Sequence, residues 1–559
     1  MPDRSTGELA EAASSGCEPH PAVTNMGRRG KMAGADLRFV FSVALTLCVL
    51  TTLPYAVGYG TSFPGSVFTG VLDHSLDTNN YLAYIHQSAK GKWLFYNPMT
   101  GEPHRPVFFN LEWLVMGKMA FLLHLSPPAA MNFSRLLCLA LMCMATYWLS
   151  TFLFHSAFVR KIALVASLAG GGFGWLAAVH LFHVSLDSSY FLDLTNANLF
   201  PFYWALRVPH FLVSELFVVL GLCFFLRAEI DGKLRNYAAA GACYLEAGGC
   251  RPYDMLFLIA ATTLYLIVSH FVSHQPQFAI TYRAVPVLMC LPFLGYYYWI
   301  FKIHPIFRWW SLPGRPAPPL GLLALGFGMS FLCFAIAVWK FHRQRIGQPE
   351  ILMLCCLVTA LIFAYTHRVL HFSFQFATNI LIPMVMLALA GFERSITSWK
   401  ANRRWALAVV TAILLVNSFT SIALTGQAVL LTARGEYCVP AGLLAAFSWL
   451  DAHSQTSDAV LADLNTANAM PRYTHNRVFC GYGNAVNVEG KLRALGKFFD
   501  AGIPNEFREN LLRENAIQFV LLTNAQYQDL PELGRASFLK EEFRNHAAVI
   551  FSVQAHATS

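Results

Sequence analysis

The chain has 559 residues, a formal net charge of +9, 56% hydrophobic residues and only 13% charged ones. A soluble domain carries about 25% charged residues, and the mean hydropathy here is +0.46, so a soluble enzyme is excluded. The apolar residues come in runs of about 18–22, long enough for a hydrocarbon core of about 30 Å, and the short alternating segments of a membrane barrel are missing. The fold class is a polytopic α-helical membrane protein.

Residues 1–37 are polar and end in "MGRRGKM" (26–32), which reads as a cytosolic disordered tail before a signal anchor, with no cleavable leader. Apolar runs follow at about 39–57, 128–154, 161–182, 211–227, 236–247 with its continuation, 254–273, 284–303, 319–340, 350–366, 376–392 and 405–426. A further segment, 107–124, carries Glu112 and Lys118, and charges in a lipid-facing span cost a few kcal/mol each. The basic clusters Arg28/Arg29/Lys31, Arg160/Lys161, Arg227/Lys233/Arg235, Arg343/Arg345 and Lys400/Arg403/Arg404 share the cytosolic side if 107–124 does not cross. That gives eleven crossings, N-terminus inside and C-terminus outside; the alternative is twelve, with one violation of the positive-inside rule. The transmembrane part is then 38–426, with an outer loop at 58–127.

Composition shifts after about residue 427. "DAVLADL" (458–464) and "AIQFVLLTN" (516–524) are strand-like, while "NVEGKLRALGKFFDAG" and "PNEFRENLLRENA" are amphipathic helical runs. Residues 427–559 therefore read as a small extracytoplasmic α/β domain. Of thirteen cysteines most lie in apolar runs, and Cys438 and Cys480 are a possible disulfide pair on the outer side. Clustered glycines in "LAGGGFGWL" (168–176) read as close helix packing. The basic residues form short clusters between apolar runs, without interleaved aromatics, so nucleic acid is not a partner.

The polar stretch "DTNNYLAYIHQSAKGKW" (77–93) stands just outside the first span. Taken alone, Asp77 caps a helix starting at Thr78 that lies on the membrane surface, and Trp93, Phe95 and Tyr96 form an interfacial belt. The continuation "FYNPMTGEPHRPVFFNLEWL" adds Glu102, His104 and Arg105 among prolines. Together Asp77, Tyr81, Gly91/Trp93 and His104–Arg105–Pro106, with Arg135 opening the next span, resemble the first outer loop of the GT-C superfamily of integral-membrane glycosyltransferases. Bacterial members related to the protein-mannosyltransferase and aminoarabinose-transferase branch are the nearest in pattern. "RVPHFL" (207–212), "RPYD" (251–254), "HFSFQFATNILIP" (371–383) and "RVFCGYGNAVNVEGK" (477–491) extend the likeness. Two departures stand out: His-Arg-Pro replaces the Lys-Pro-Pro or His-Pro-Pro of better-known branches, and Thr78 follows Asp77 where an acid pair is usual.

The resemblance implies an inverting transfer of a sugar from a polyprenyl-phosphate donor to a hydroxyl on a glycan, lipid or protein, at the outer face of a membrane, a bacterial inner membrane by the branch it resembles. A carboxylate must take the hydroxyl proton and cations must stabilise the departing phosphate. It implies Asp77 as the base, with Asp73 the alternative. Glu102, His104, Arg105, Arg207, His210, Arg251, His371 and Gln375 are candidates for donor contact. Blander readings stand beside these: Glu102 pairs with Arg105, Arg207 and Arg251 snorkel, and Arg477 and Lys491 belong to a solvated face. HExxH, paired-Asp and Cys/His ligand spacings are missing from the sequence, so no cofactor is assigned; a divalent metal, used by some branches of the superfamily, has no ligand set here. A transporter or flippase of a lipid-linked glycan, and a membrane scaffold whose outer domain binds a partner, are the rival functions.

Overall fold

The computed structural model describes residues 32, 34–72, 76–176, 191–196, 198–272, 280–310, 317–341, 346–370, 372–398, 411–412 and 416–554. The tail 1–31, Asp73 and His371 lie outside them.

The first long helix is α1 (Gly34–Gly60), followed by the short strand β1 (Ser66–Phe68) and the helix α2 (Leu76–Ala89). Next come α3 (Leu111–Leu122), α4 (Pro127–Leu153) and α5 (Ala157–Leu168). The central helices are α6 (Pro209–Asp231), α7 (Leu234–Cys250), α8 (Pro252–Val272) and α9 (Ile280–Tyr298). The membrane part closes with α10 (Leu320–Phe327), α11 (Met329–Phe341), α12 (Gln348–Tyr365), α13 (Leu381–Ser398) and α14 (Phe419–Ala433).

The chain is a multi-pass membrane protein. Among the described residues seven helices are long and apolar enough to cross a bilayer: α1, α4, α6, α8, α9 with its continuation to Ile303, α12, and α13 with the turn before it. They coincide with seven of the expected runs. The other four runs take different forms. Run 319–340 is the pair α10 and α11, bent by 107° at Gly328. Run 161–182 begins as α5, which stops at Leu168, and its end lies outside the described residues. Run 236–247 is the 17-residue α7, and run 405–426 is described only from α14 and the residues just before it.

The bend at Gly328 is built from backbone contact. Gly328 has φ +54°, and a side chain there would meet the Cα of Gly172 at 2.9 Å. The glycines after α5 are therefore not packing residues inside a continuous helix. They form an unwound loop whose Gly172 and Gly174 N–H groups donate to Asp193 (2.8 and 2.9 Å), as does the Thr420 hydroxyl (2.8 Å). Unwound backbone inside a membrane protein must be satisfied by protein, and Asp193, fully buried, does so. Near the C-terminal end of α6, Glu229 takes a two-pronged contact from Arg283 of α9 (2.8 and 2.7 Å). It also accepts from Tyr237 of α7 and Tyr265 of α8. One buried carboxylate thus ties four helices, each of its oxygens partnered.

Segment 107–124 is the 12-residue α3, capped at Asn110, whose side chain accepts from the Trp113 N–H at 3.0 Å. At 1.5 Å per residue it is about 18 Å long, short of a bilayer. Its two charges find protein partners: Glu112 meets His210, and Lys118 donates to Ser88 O (3.2 Å) and sits over the Trp93 ring. The helix packs tightly on α2, because a side chain at Gly117 would strike Ser88 Cβ at 2.2 Å. Thr78, Asn80, Leu82, Ala83, Tyr84, Ile85, Gln87 and Ser88 of α2 are all buried. The helix α2 is buried among its neighbours in the chain, and Asp77 sits within its first turn. Of the expected aromatic belt only Trp93 is exposed, while Phe95 and Tyr96 are buried.

The C-terminal part begins with β2 (Cys438–Pro440), antiparallel to β1, and α15 (Ala441–His453). A five-stranded sheet follows, made of β3 (Ala459–Leu461), β4 (Arg477–Val478), β5 (Ile517–Thr523), β6 (Leu539–Arg544) and β7 (Ala548–Val553). Its order is β4-β3-β5-β7-β6. The strands β4, β3 and β5 are parallel, and β6–β7 is a hairpin antiparallel to β5. The helices α16 (Val488–Phe498) and α17 (Asn505–Glu514) match the two amphipathic runs, and β3 and β5 match the two apolar ones. Cys438 and Cys480 are free thiols, so the possible disulfide between them is not formed.

Candidate active site

Asp77 and Tyr81 are one turn apart on α2 and share a face. The Asp77 carboxylate accepts a short hydrogen bond from the Tyr482 hydroxyl, which belongs to the C-terminal part. The Tyr81 ring stacks on Trp113 of α3 at 5.3 Å and lies 4.7 Å from His210 at the start of α6. Burial pushes the Tyr81 phenol well above its ordinary value, and Asp77 and Tyr482 add to the effect while Arg251 opposes it. Tyr81 is thus a neutral O–H group set among Asp77, Glu112 and Arg251.

Arg251 follows α7 in the break before α8 and is buried. Its guanidinium donates to Asp254 Oδ2 (3.1 Å) and to Gln375 Oε1 (2.9 Å) and lies 4.1 Å above the Phe211 ring. Asp254 is itself aimed by Ser214 (2.6 Å) and Asn379 (3.0 Å). Arginine has five N–H donors and these bonds use two. Tyr253 stands beside it, within electrostatic reach of both Arg251 and Asp77. The chain therefore brings a carboxylate, several phenols and a fixed guanidinium into one cluster where α2, α3, α6, α8 and the C-terminal part meet.

The other sequence candidates divide. Gln375 joins the cluster through Arg251. His210 reaches it too, but its Nδ1 is held by Glu112. His104 is a loop clamp: Nδ1 faces Glu102 O at 2.7 Å and Nε2 accepts from the Asn97 N–H at 2.8 Å. Both ring nitrogens are occupied, and burial lowers its pKa, so the ring is neutral. Glu102 binds Lys491 at 2.6 Å and Thr100 rather than Arg105, and Arg105 is exposed. Arg207 donates to Gln427 of α14 at 3.2 Å. The solvated face expected at Arg477 and Lys491 is corrected: both are buried, because Lys491 closes on Glu102 and Arg477 donates to Ser457 O. Asp73 and His371 lie outside the described residues.

Sequence reasoning missed Tyr482 as a site residue, together with Glu112, which holds His210, and Asp254, which holds Arg251. The segment holding Tyr482 carried a family likeness; nothing local marked that tyrosine. Among the described residues no group of three or more His, Cys, Asp or Glu side chains is placed to hold a metal ion. A divalent cation prefers several anionic or carbonyl oxygens, and the described groups around Asp77 are mainly phenols, so this donor set does not fit one.

The bundle of broken and continuous helices, the buried helices α2 and α3 and the C-terminal sheet together share a fold with solved membrane proteins. The particular likeness is to ArnT from Cupriavidus metallidurans, solved with undecaprenyl phosphate: TM-score 0.54 and 14% identity, over 94% of this chain and 99% of that one. The archaeal oligosaccharyltransferase AglB from Archaeoglobus fulgidus, solved with an inhibitory peptide and a dolichol-phosphate, aligns with TM-score 0.47 and 11% identity over 94% and 75%. No protein-family model and no curated protein matches the chain in sequence.

Proposed function

We propose that this protein is an inverting glycosyltransferase that moves a sugar from a polyprenyl-phosphate donor to a hydroxyl acceptor at the outer face of its membrane. The observation that carries the reading is the meeting of Asp77 and Arg251 around Tyr81 and Tyr253. The solved likeness with a bound polyprenyl phosphate supports the class of donor.

In this reading the acceptor hydroxyl donates to Asp77, which takes its proton as the oxygen attacks the anomeric carbon. A new C–O bond forms on one face of the sugar while the C–O bond to phosphate breaks on the other. The bonding pair leaves with the polyprenyl phosphate. Arg251 supplies positive charge as negative charge grows on that group, and its aim is preset by Asp254, Gln375 and Phe211. Burial raises the value of that charge, since electrostatic interactions strengthen in a low dielectric. Tyr81 and Tyr253 each stand within electrostatic reach of both base and cation. The outer side holds 58–127 and residues 427–559, and the N-terminal tail is cytosolic.

A carrier of lipid-linked glycan would share the broken helix at Gly328. In such a carrier Asp77 would be dispensable. The deciding assay follows sugar release or transfer in membranes across a panel of polyprenyl-phosphate sugars, with wild type and Asp77→Asn at matched expression. Loss of a base costs about 10²–10⁴ in rate, so the variant should fall at least about a hundredfold. An equally active Asp77→Asn removes the base assignment and turns attention to Asp73.

A further inference from the structure

Tyr482 stands out among residues the sequence reading left without a role. It is 405 positions from Asp77 in the chain, yet its hydroxyl donates to that carboxylate. Its loop is fastened to the first outer loop on both sides. Val478 N–H donates to Pro98 O and Gly481 N–H to Met99 O, each at 3.0 Å. The Asn97 side chain donates to Asn484 O, and Val486 N–H donates to Thr100 Oγ1, each at 3.1 Å. Lys491 then locks the far side through Glu102 (2.6 Å) and Thr100 (3.1 Å). A loop held at so many points is a wall of the site rather than a swinging flap.

Other contacts fix Asp77's own helix to the same part of the chain. Asn79 donates to Asn468 (2.8 Å), and Asn468 donates to Leu76 O (3.1 Å). The buried Arg472 spans Asn79 (2.9 Å) and Thr69 O (2.8 Å). Base and phenol are thus referenced to one another through two independent sets of bonds, one through 97–102 and one through 76–79.

We propose that Tyr482 is a positioning residue that holds the Asp77 carboxylate, so that the C-terminal domain forms part of the active site. This rests on the reading of Asp77 as the base. An O–H donor favours the charged form of a carboxylate and fixes its orientation, leaving the acceptor hydroxyl a defined approach. The residues that the sequence assigned to donor contact, Glu102 and His104, then serve another end: they shape the loop that carries Tyr482 into place. Among the described residues the groups around Asp77 include Tyr81 on its own helix, Tyr482 from the C-terminal loop and Tyr253 from α8, with Arg251 and Glu112 also close to Tyr81.

The test uses the full chain in lipid nanodiscs and needs no substrate. Infrared pH titration of the carboxyl band, taken as the difference between a protein and the same protein carrying Asp77→Asn, isolates the Asp77 midpoint. Tyr482→Phe keeps the ring and removes the donor, and it should raise that midpoint by about one pH unit, a tenfold change in proton affinity. A fluorinated tyrosine placed at 482 keeps the ring and donates more strongly, and it should move the midpoint the other way. An unmoved midpoint in either protein overturns the proposal, even if melting temperature falls, because a merely structural tyrosine would change stability alone. The functional reading fails separately, when Asp77→Asn transfers sugar as well as wild type.

Discussion

His86 shows what burial does to one side chain on α2. Its pKa is pushed down to about 4, chiefly by burial, with Lys90 and His475 acting in the same direction and Asp451 opposing. The ring is neutral in the folded protein, and its Nε2 is buried without a hydrogen-bond partner. The unfolded chain binds the proton more readily, so this contribution to stability is fully present above the ordinary value of 6.5 and is lost as pH falls toward 4. The loss is about 3 kcal/mol at 1.36 kcal/mol per unit. Between pH 7 and 4 the melting temperature of wild type should fall more steeply than that of His86→Leu, which lacks this titrating group; parallel pH dependences would rule this out. Lys491 is a second case. Burial lowers its pKa and Glu102 opposes that. Lys491→Met should destabilise the outer part by about 1–3 kcal/mol, less than a fully buried pair, since the Glu102 side chain is 33% exposed. Denaturant titration followed by near-ultraviolet dichroism reads the difference.

At the level of elements, unwound segments divide apolar runs that periodicity reads as single helices. Run 319–340 is uniformly apolar, but a single residue of positive φ turns it through 107°. The neighbouring loop accepts the turn only because Gly172 offers no side chain: one there would meet Gly326 O at 2.0 Å. Gly172→Ala or Gly328→Val should therefore cost about 1–3 kcal/mol by overpacking, with Gly328→Val also strained in its backbone. The melting temperature in detergent checks this, and variants that melt with wild type would mean the two segments separate readily. The helix α3 carries the converse lesson. Glu112 and Lys118 marked 107–124 as unlike a lipid-facing span, and the 12 residues of α3 lie against α2 with both charges engaged.

On the scale of the whole molecule, the C-terminal part from β2 onward is no appendage. It pairs as β2 with β1, fastens to the loop 97–102 and clamps the start of α2. If the site faces outward, this part must too. A cysteine at the exposed position Gln528, in a chain whose native thiols are first blocked, should react with a membrane-impermeant maleimide added from outside. Labelling only after permeabilisation would reverse the orientation. Arg472→Ala should loosen α2 from the C-terminal part and lower turnover while leaving the membrane bundle folded, which protease resistance of the two parts can separate.

The sequence by itself determined the membrane class, seven of the spans and the α/β nature of the C-terminal part. These depend on local patterns of apolar residues, which burial imposes segment by segment. It also pointed to Asp77, Arg251 and Gln375. The tertiary structure alone decided which of the polar residues meet. Asp77 with Tyr482, Glu102 with Lys491, Asn79 with Arg472 and Arg251 with Gln375 are joined across 124 to 405 positions. No local periodicity encodes such pairings. They arise because buried charges and donors must find partners, and the partner is whichever group the packed helices and sheet bring within reach.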